Sequence, residues 1–342
     1  MKRPFFILFL FCVTFALKAQ VAYAQTSEAA VILAYHQISD SDQGYVLSTE
    51  DFDSHLNVIK SGSIKVVPIY KAFKESTTDT LPLILTFEGA YRSTYYNALK
   101  NLVEDEIPFT LLFSPRRVNS QSKKHLSWNQ INALKEHKFI TLGLLPNSYH
   151  DIVGLNDAQL SAVLNKDIKL FQSKLGTRPQ YISLPHGTYS AENLETLKRY
   201  NFKGVLGLHS GVAYKDDISH VLPRFSLTNG YGSLDRFLMI SGAQPFHFKN
   251  ITPKDPFLKA GEDIAIGFNV DIKENEKALY CFASDIGRLD LQEIGNNRYE
   301  IRLDKEVIPP GRLRINCTQN CDISLNDRHC TRWRGMMFTV AE

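Results

Sequence analysis

Leu81-Pro82-Leu83-Ile84-Leu85-Thr86-Phe87 runs directly into Glu88-Gly89-Ala90-Tyr91. A continuous apolar run of this length, with its proline confined to the start, is the pattern of a strand buried on both faces. The run stops at a carboxylate, and residues 91–106 read as a helix. Strands buried on both faces belong to parallel sheets covered by helices. The same alternation extends outward. Ala30-Val31-Ile32-Leu33-Ala34-Tyr35 is an earlier buried strand, followed by a helix over 51–61. Downstream come a strand at 109–113, a helix at 128–137 and a strand at 140–145. A long helix then starts at Asn156 or Asp157, with Leu160, Val163, Leu164, Ile168, Phe171 and Leu175 on one face and Gly176 as its stop. A strand at 181–184, a helix at 191–200 and a strand at 204–208 complete the series. By periodicity alone, an open doubly wound sheet and a βα barrel fit equally well.

The pattern changes after residue 243. Pro245, Pro253 and Pro256 mark 244–256 as a linker. Strand-like runs at 264–270, 277–283, 298–303, 313–317 and 336–340 then predict a small all-β sandwich over 257–342.

Lys2 and Arg3, an apolar run from Phe5 to Leu17, and Ala22-Tyr23-Ala24 form the pattern of an export signal over 1–24. An apolar run of about 13 residues at about 1.5 Å each falls short of a hydrocarbon core of roughly 30 Å, which argues against an uncleaved anchor. The mature chain is expected from about Gln25, periplasmic or secreted, without a transmembrane segment. Cys12 leaves with the signal, and Cys281, Cys317, Cys321 and Cys330 remain. An oxidising compartment favours two disulfides, with the pairing open. A metal knuckle that adds His329 is the competing reading.

Three of the 39 basic residues, Lys2, Arg3 and Lys18, lie in the signal, which holds no acid, so the remainder carries 36 basic and 36 acidic groups. A neutral chain without long basic runs excludes a nucleic-acid binder or a surface held to anionic lipid by charge. Arg116–Arg117 and Lys123–Lys124 are short and read as solvated loop charge. With 21 Phe and 15 Tyr the chain is not disordered.

In parallel βα folds the site forms beyond the carboxyl ends of the strands. Those positions hold His36, Glu88, His150, His186 and His209. Loops collect polar residues in any case, so each histidine is as readily an ordinary rim residue.

Thr86-Phe87-Glu88-Gly89-Ala90-Tyr91 resembles the Thr-Phe-Asp-Asp-Gly-Tyr motif of the polysaccharide deacetylases, the NodB-like carbohydrate esterases. Leu33-Ala34-Tyr35-His36 resembles that family's opening strand, and Leu184-Pro185-His186-Gly187 its Tyr-Pro-Tyr-Gly turn. Val221-Leu222-Pro223-Arg224-Phe225 resembles its late Leu-Pro-Arg segment. The order matches, and the similarity spans residues from about 29 to 240. The resemblance implies an α/β fold, a distorted βα barrel over 25–243, and an N-acetylated polysaccharide or oligosaccharide as partner. It also implies deacetylation by a divalent metal on two histidines and an aspartate, with a second aspartate as base and a late histidine as acid.

Position by position the chain departs from that pattern. The base is Glu88, longer by one methylene of about 1.5 Å. The metal-binding aspartate is Gly89. The paired histidines fall within 143–150, where the first is Leu145 and the second Tyr149, or His150 if one residue is inserted. The arginine that steadies the base is Ser183, and Phe237-Leu238-Met239-Ile240-Ser241 offers no late histidine. Zinc at a catalytic site needs three protein ligands, so the resemblance predicts that standard deacetylation is lost or altered and no cofactor is held.

Three functions remain. One is binding of an acylated glycan by a pseudoenzyme, with Tyr91, Tyr149, Tyr189, Phe225 and His186 as sugar-facing candidates. These aromatics are otherwise core. Another is an atypical carbohydrate N-deacetylase, in which Glu88 with His150 and His36, His186 or His209 rebuilds a zinc site. Metal-free hydrolysis by Glu88 and a histidine lacks an electrophile. The last is a structural interaction protein of the envelope. Arg224 either contacts substrate or orients Glu88, or pairs with Asp216 or Asp217. In Arg332-Trp333-Arg334-Gly335, Trp333 is a surface patch or the core of the sandwich.

Overall fold

The two earliest apolar runs pair in parallel, Ile32 beside Ile84 and Leu33 beside Leu85, and every residue of Ala29–Tyr35 and Leu83–Glu88 is buried. The computed structural model describes residues 28–41, 44–74, 81–216, 221–272, 278–308, 310–321 and 330–341. The expected export signal, His329 and Asp217 lie outside the described residues.

From Leu83–Glu88 the parallel sheet continues through Phe109–Phe113, Ile140–Leu144, Tyr181–Ser183 and Gly204–Leu206. On the other side of Ala29–Tyr35 lies Phe225–Leu227, also parallel, with Phe225 opposite Leu33. A bridge between Leu206 and Leu222 brings the ends together. The Leu222 N–H donates to the Val205 carbonyl at 2.7 Å, and the Gly207 N–H to the Leu222 carbonyl at 2.9 Å. One segment thus touches the last strand and then joins the first, which makes the sheet a curled, distorted βα barrel rather than an open doubly wound sheet. Alternate side chains serve opposite faces. Ile32, Ile84, Leu112 and Leu206 fall in one apolar cluster. Leu33, Leu85 and Phe87 fall in another with Phe52 and Leu56 of the helix Thr49–Lys60.

The helices begin where capping chemistry permits. Ser48 caps Thr49–Lys60, while Ser127 with Gln130 and Asn156 with Gln159 form capping boxes before Trp128–Lys135 and Asp157–Leu175. The helix expected over 91–106 is interrupted by a wider π turn, Tyr95–Leu99. Two helices lacked a clear sequence signal, Pro115–Asn119 and Leu234–Ser241.

Beyond the barrel the chain is strand-rich. Within the proline-bearing stretch 244–256, Gln244–Pro245 pairs with Thr331–Val340 and Lys249–Thr252 pairs with Ile264–Asn269. Thr331–Val340 pairs along its whole length with Gly311–Asn320, which also pairs with Tyr280–Ala283. A second sheet holds Lys249–Thr252, Ile264–Asn269, Arg298–Leu303 and Gln292–Gly295. Phe248, Phe268, Ile301, Ile315 and Phe338 belong to the apolar cluster of this region. Disulfides join Cys281 to Cys317 and Cys321 to Cys330, which commits all four cysteines and leaves no thiolate for a knuckle.

Trp333 does not fill the sandwich. Met336, Phe338 and Val340 of its strand pack there, and Trp333 has the opposite parity. Its ring meets Phe225 of the barrel edge-on at 5.2 Å, and its Nε1 donates to Asn316 Oδ1 at 3.1 Å. Gly335 lies on the same face, and a Cβ there would stand 2.2 Å from the Ser210 carbonyl oxygen. Among the described residues no helix is long and apolar enough to cross a membrane.

Candidate functional site at the barrel rim

Glu88 is the last residue of its strand and only 5% exposed, so its charge must be met inside the protein. Arg224 meets it. That side chain is fully buried, and its Nη2 donates to Glu88 Oε1 at 2.6 Å and to Ser183 Oγ at 2.7 Å. Its Nη1 donates to Thr86 Oγ1 at 3.2 Å and its Nε to the Gly207 carbonyl at 2.7 Å. The Ser183 hydroxyl donates to the same Glu88 oxygen. Arg224 therefore orients Glu88, and Asp216 is exposed on its loop. Where the family pattern has an arginine, Ser183 supplies a hydroxyl and Arg224 supplies the charge.

Burial pushes the Glu88 carboxyl up, but Arg224, then His36, then the hydrogen bonds from Ser183 and Arg224 outweigh it. The carboxyl is held below its ordinary range and is ionised at neutral pH. His36 Nδ1 stands 3.4 Å from Glu88 Oε2. Burial lowers the His36 imidazole despite the pull of Glu88, and Arg224, His186 and Arg312 add to the lowering.

Above this group lies a cavity of about 260 Å³ whose wall includes His36, Glu88, Tyr91, Tyr149, His186 and Arg312. The Tyr149 hydroxyl donates to the Gly89 carbonyl at 2.8 Å, and His186 Nε2 lies 3.0 Å from the Tyr149 carbonyl. Arg117 donates to the Ser148 carbonyl from Nε and Nη2, at 3.3 and 3.1 Å, and its guanidinium lies over the Tyr149 ring. These bonds hold an unusual backbone. Asn147, Ser148 and Tyr149 have φ of 56°, 51° and 71°, and His186 has 55°. Consecutive non-glycine residues in this region are strained and persist only where surroundings fix them. Burial raises both the Tyr91 and Tyr149 hydroxyls, so they remain protonated.

The metal of the family does not fit this rim. Gly89 has φ 108°, and a Cβ built on it would stand 2.2 Å from Cε2 of Tyr91. The Tyr91 ring, stacked on His125 at 5.1 Å, occupies the place of the aspartate side chain. Leu145, in the position of the first histidine, is 4% exposed and apolar. Among the described residues no three His, Cys, Asp or Glu side chains are grouped to hold an ion.

The remaining candidates separate. His150 is exposed and outside the cavity wall. His209 and Tyr189 line a different cavity, of about 620 Å³, between the barrel and the strand-rich region. Burial, then Arg334 and Arg224, drive the His209 imidazole down to about 3. Phe225 is core against Trp333. The structure adds two residues that sequence reasoning missed, Tyr45 and Arg312, which bond each other across the chain.

A curled ring of parallel strands opening at its carboxyl rim on a cavity of mixed aromatic and polar character defines a βα-barrel protein with a rim site. Residues 75–205 match the polysaccharide deacetylase family model. Solved structures agree on the fold. The Streptococcus pyogenes deacetylase PplD, in complex with acetate, is 16% identical with a TM-score of 0.57, covering 63% of this chain and 99% of that one. IcaB from Ammonifex degensii is 17% identical with a TM-score of 0.55, covering 63% and 98%. The Bacillus cereus polysaccharide deacetylase BC0361 is 14% identical with a TM-score of 0.53, covering 63% and 69%. No curated protein matches the chain.

Proposed function

We propose that the chain binds an N-acetylated or acylated glycan at the barrel rim, outside the cytoplasm, without the family's metal-dependent hydrolysis. The observation that carries this reading is the Tyr91 ring standing over Gly89, an aromatic face where a metal ligand would project. Tyr149 and Tyr91 beside Glu88, His36 and His186 form a small cavity of mixed aromatic and polar character, which suits a sugar ring. The two disulfides support an oxidising compartment. Glu88 is a poor general base, since Arg224 and Ser183 already hold its charge.

Titration with N-acetylated chitooligosaccharides and with acetylated sugars tests the proposal. Binding raises the melting temperature, because only the native state takes the ligand. No acetate is released with zinc, cobalt or nickel present. Acetate release that Glu88→Gln abolishes would instead establish the atypical deacetylase, which His36, His186 and Glu88 on one cavity wall favour. No thermal shift across a broad panel, together with a stable complex with another envelope protein, would establish the structural role.

A further inference from the structure

The charges of the rim cavity do not cancel. Glu88 is the one carboxylate among the described residues that line it, and Arg224 neutralises that charge from below. The other ionised group of the wall is Arg312, brought from the strand Gly311–Asn320. Its guanidinium lies 5.7 Å from the Tyr45 ring centroid, and Nη2 donates to the Tyr45 hydroxyl. Its Nη1 is buried without a hydrogen-bond partner, and among the described residues no carboxylate pairs with it. His36 Nε2, on the same wall, is likewise buried without a partner. A cavity-lining guanidinium without a carboxylate partner is left with a charge that an anionic ligand can meet.

Resting on the glycan reading above, we infer that the sugar taken by this cavity bears a carboxylate, as a hexuronic acid unit does, and that Arg312 is the residue that reads it. A guanidinium suits a planar carboxylate better than it suits a hydroxyl, and the bond is charge-assisted. The Tyr45 ring and hydroxyl hold the guanidinium in place, so little side-chain freedom is lost on binding. A neutral sugar offers the guanidinium no opposite charge, and discrimination arises from that difference. The strand-rich region thereby sets the specificity of a cavity whose other walls belong to the barrel.

Calorimetric titration of the full chain with two glycosides that differ only at C6 tests the inference. The probes are N-acetylglucosamine, with a hydroxymethyl group, and N-acetylglucosaminuronic acid, with a carboxylate. The uronate is expected to bind at least about tenfold more tightly, which is the effect of about 1.4 kcal/mol. The advantage shrinks as salt is raised. In Arg312→Gln the uronate loses its advantage over the neutral probe. Arg312→Lys, a milder change to the packing on Tyr45, keeps a salt-sensitive but smaller advantage because the charge remains and the fork is lost. Equal affinity for both probes in the native chain overturns the inference while leaving glycan binding intact. An advantage that persists undiminished in Arg312→Gln overturns the role of Arg312. Failure of both probes to bind removes the glycan reading and the inference together.

Discussion

The two sides of the rim cavity have been treated differently. On one side Glu88, Arg224, Ser183 and Thr86 form a fully partnered ionic group with its arginine out of reach of solvent. On the other, Gly89, Tyr91, Leu145 and Tyr149 replace ligands with apolar and aromatic surface. A buried charge pair cannot be dismantled one residue at a time without stranding a charge, whereas ligands that face a cavity can be exchanged singly. The ionic side is therefore tied to the stability of the barrel, and the aromatic side can change with less cost to the fold.

Breaking the ionic side should give the largest effect. Arg224→Met leaves Glu88 buried and uncompensated, and urea denaturation is expected to show a loss of about 3–5 kcal/mol. Adding Glu88→Leu should return much of that loss. A double variant no more stable than the single one would show that the pair does not support the barrel.

Acid probes buried groups away from the rim cavity first, and its ionic side second. The His209 imidazole, at about 3 in the folded chain, and that of His55, lowered to about 4 chiefly by burial, stay neutral while their unfolded counterparts gain protons near 6.5. Below that pH the unfolded state binds more protons, so stability falls with acid. Each contributes a loss on the order of 3 kcal/mol by pH 4. Glu88, with its folded carboxyl depressed, adds a further loss only as pH falls through the carboxylate range. Melting temperatures across pH 4–7, compared between native chain and His209→Gln, measure the first effect. A profile of the same slope in the variant would remove His209 from the account.

The aromatic side gives a smaller response. Gly89→Asp restores a ligand type but forces the Tyr91 ring aside from a φ of 108°, at about 1–3 kcal/mol. Metal analysis of that variant is expected to find no stoichiometric zinc, since Leu145 still supplies nothing. Zinc bound by the single variant would show that the rings had not displaced the site. Smallest is Tyr149→Phe, which removes the hydrogen bond to the Gly89 carbonyl. It should cost about 1 kcal/mol in melting experiments and weaken glycan binding.

The barrel was largely legible because its parallel strands are apolar without interruption, and Glu88 stood out as the polar residue that ends such a run. Its partner was legible only through the resemblance, since Arg224 lies 136 residues away. The Arg312–Tyr45 contact spans 267 residues and joins a loop to the strand Gly311–Asn320, so no local pattern announces it. His150 and His209 sit near strand ends in the sequence. Turn geometry sends the first to solvent, and the position of the second beneath Arg334 sends it to another cavity. Trp333 was misread because a strand has two faces, and the apolar neighbours of a tryptophan do not say which face it shares with them. The prolines of 244–256 suggested a linker, yet Gln244–Pro245 and Lys249–Thr252 are strands that join the C-terminal sheets.

The strand Thr331–Val340 carries the sandwich on one face and Trp333 against Phe225 on the other. A wall common to two cores couples their melting, since exposing either face strips cover from both. A fragment ending before residue 244 would bare Phe225 and lose Arg312 from the rim, so it is expected to melt below the full chain.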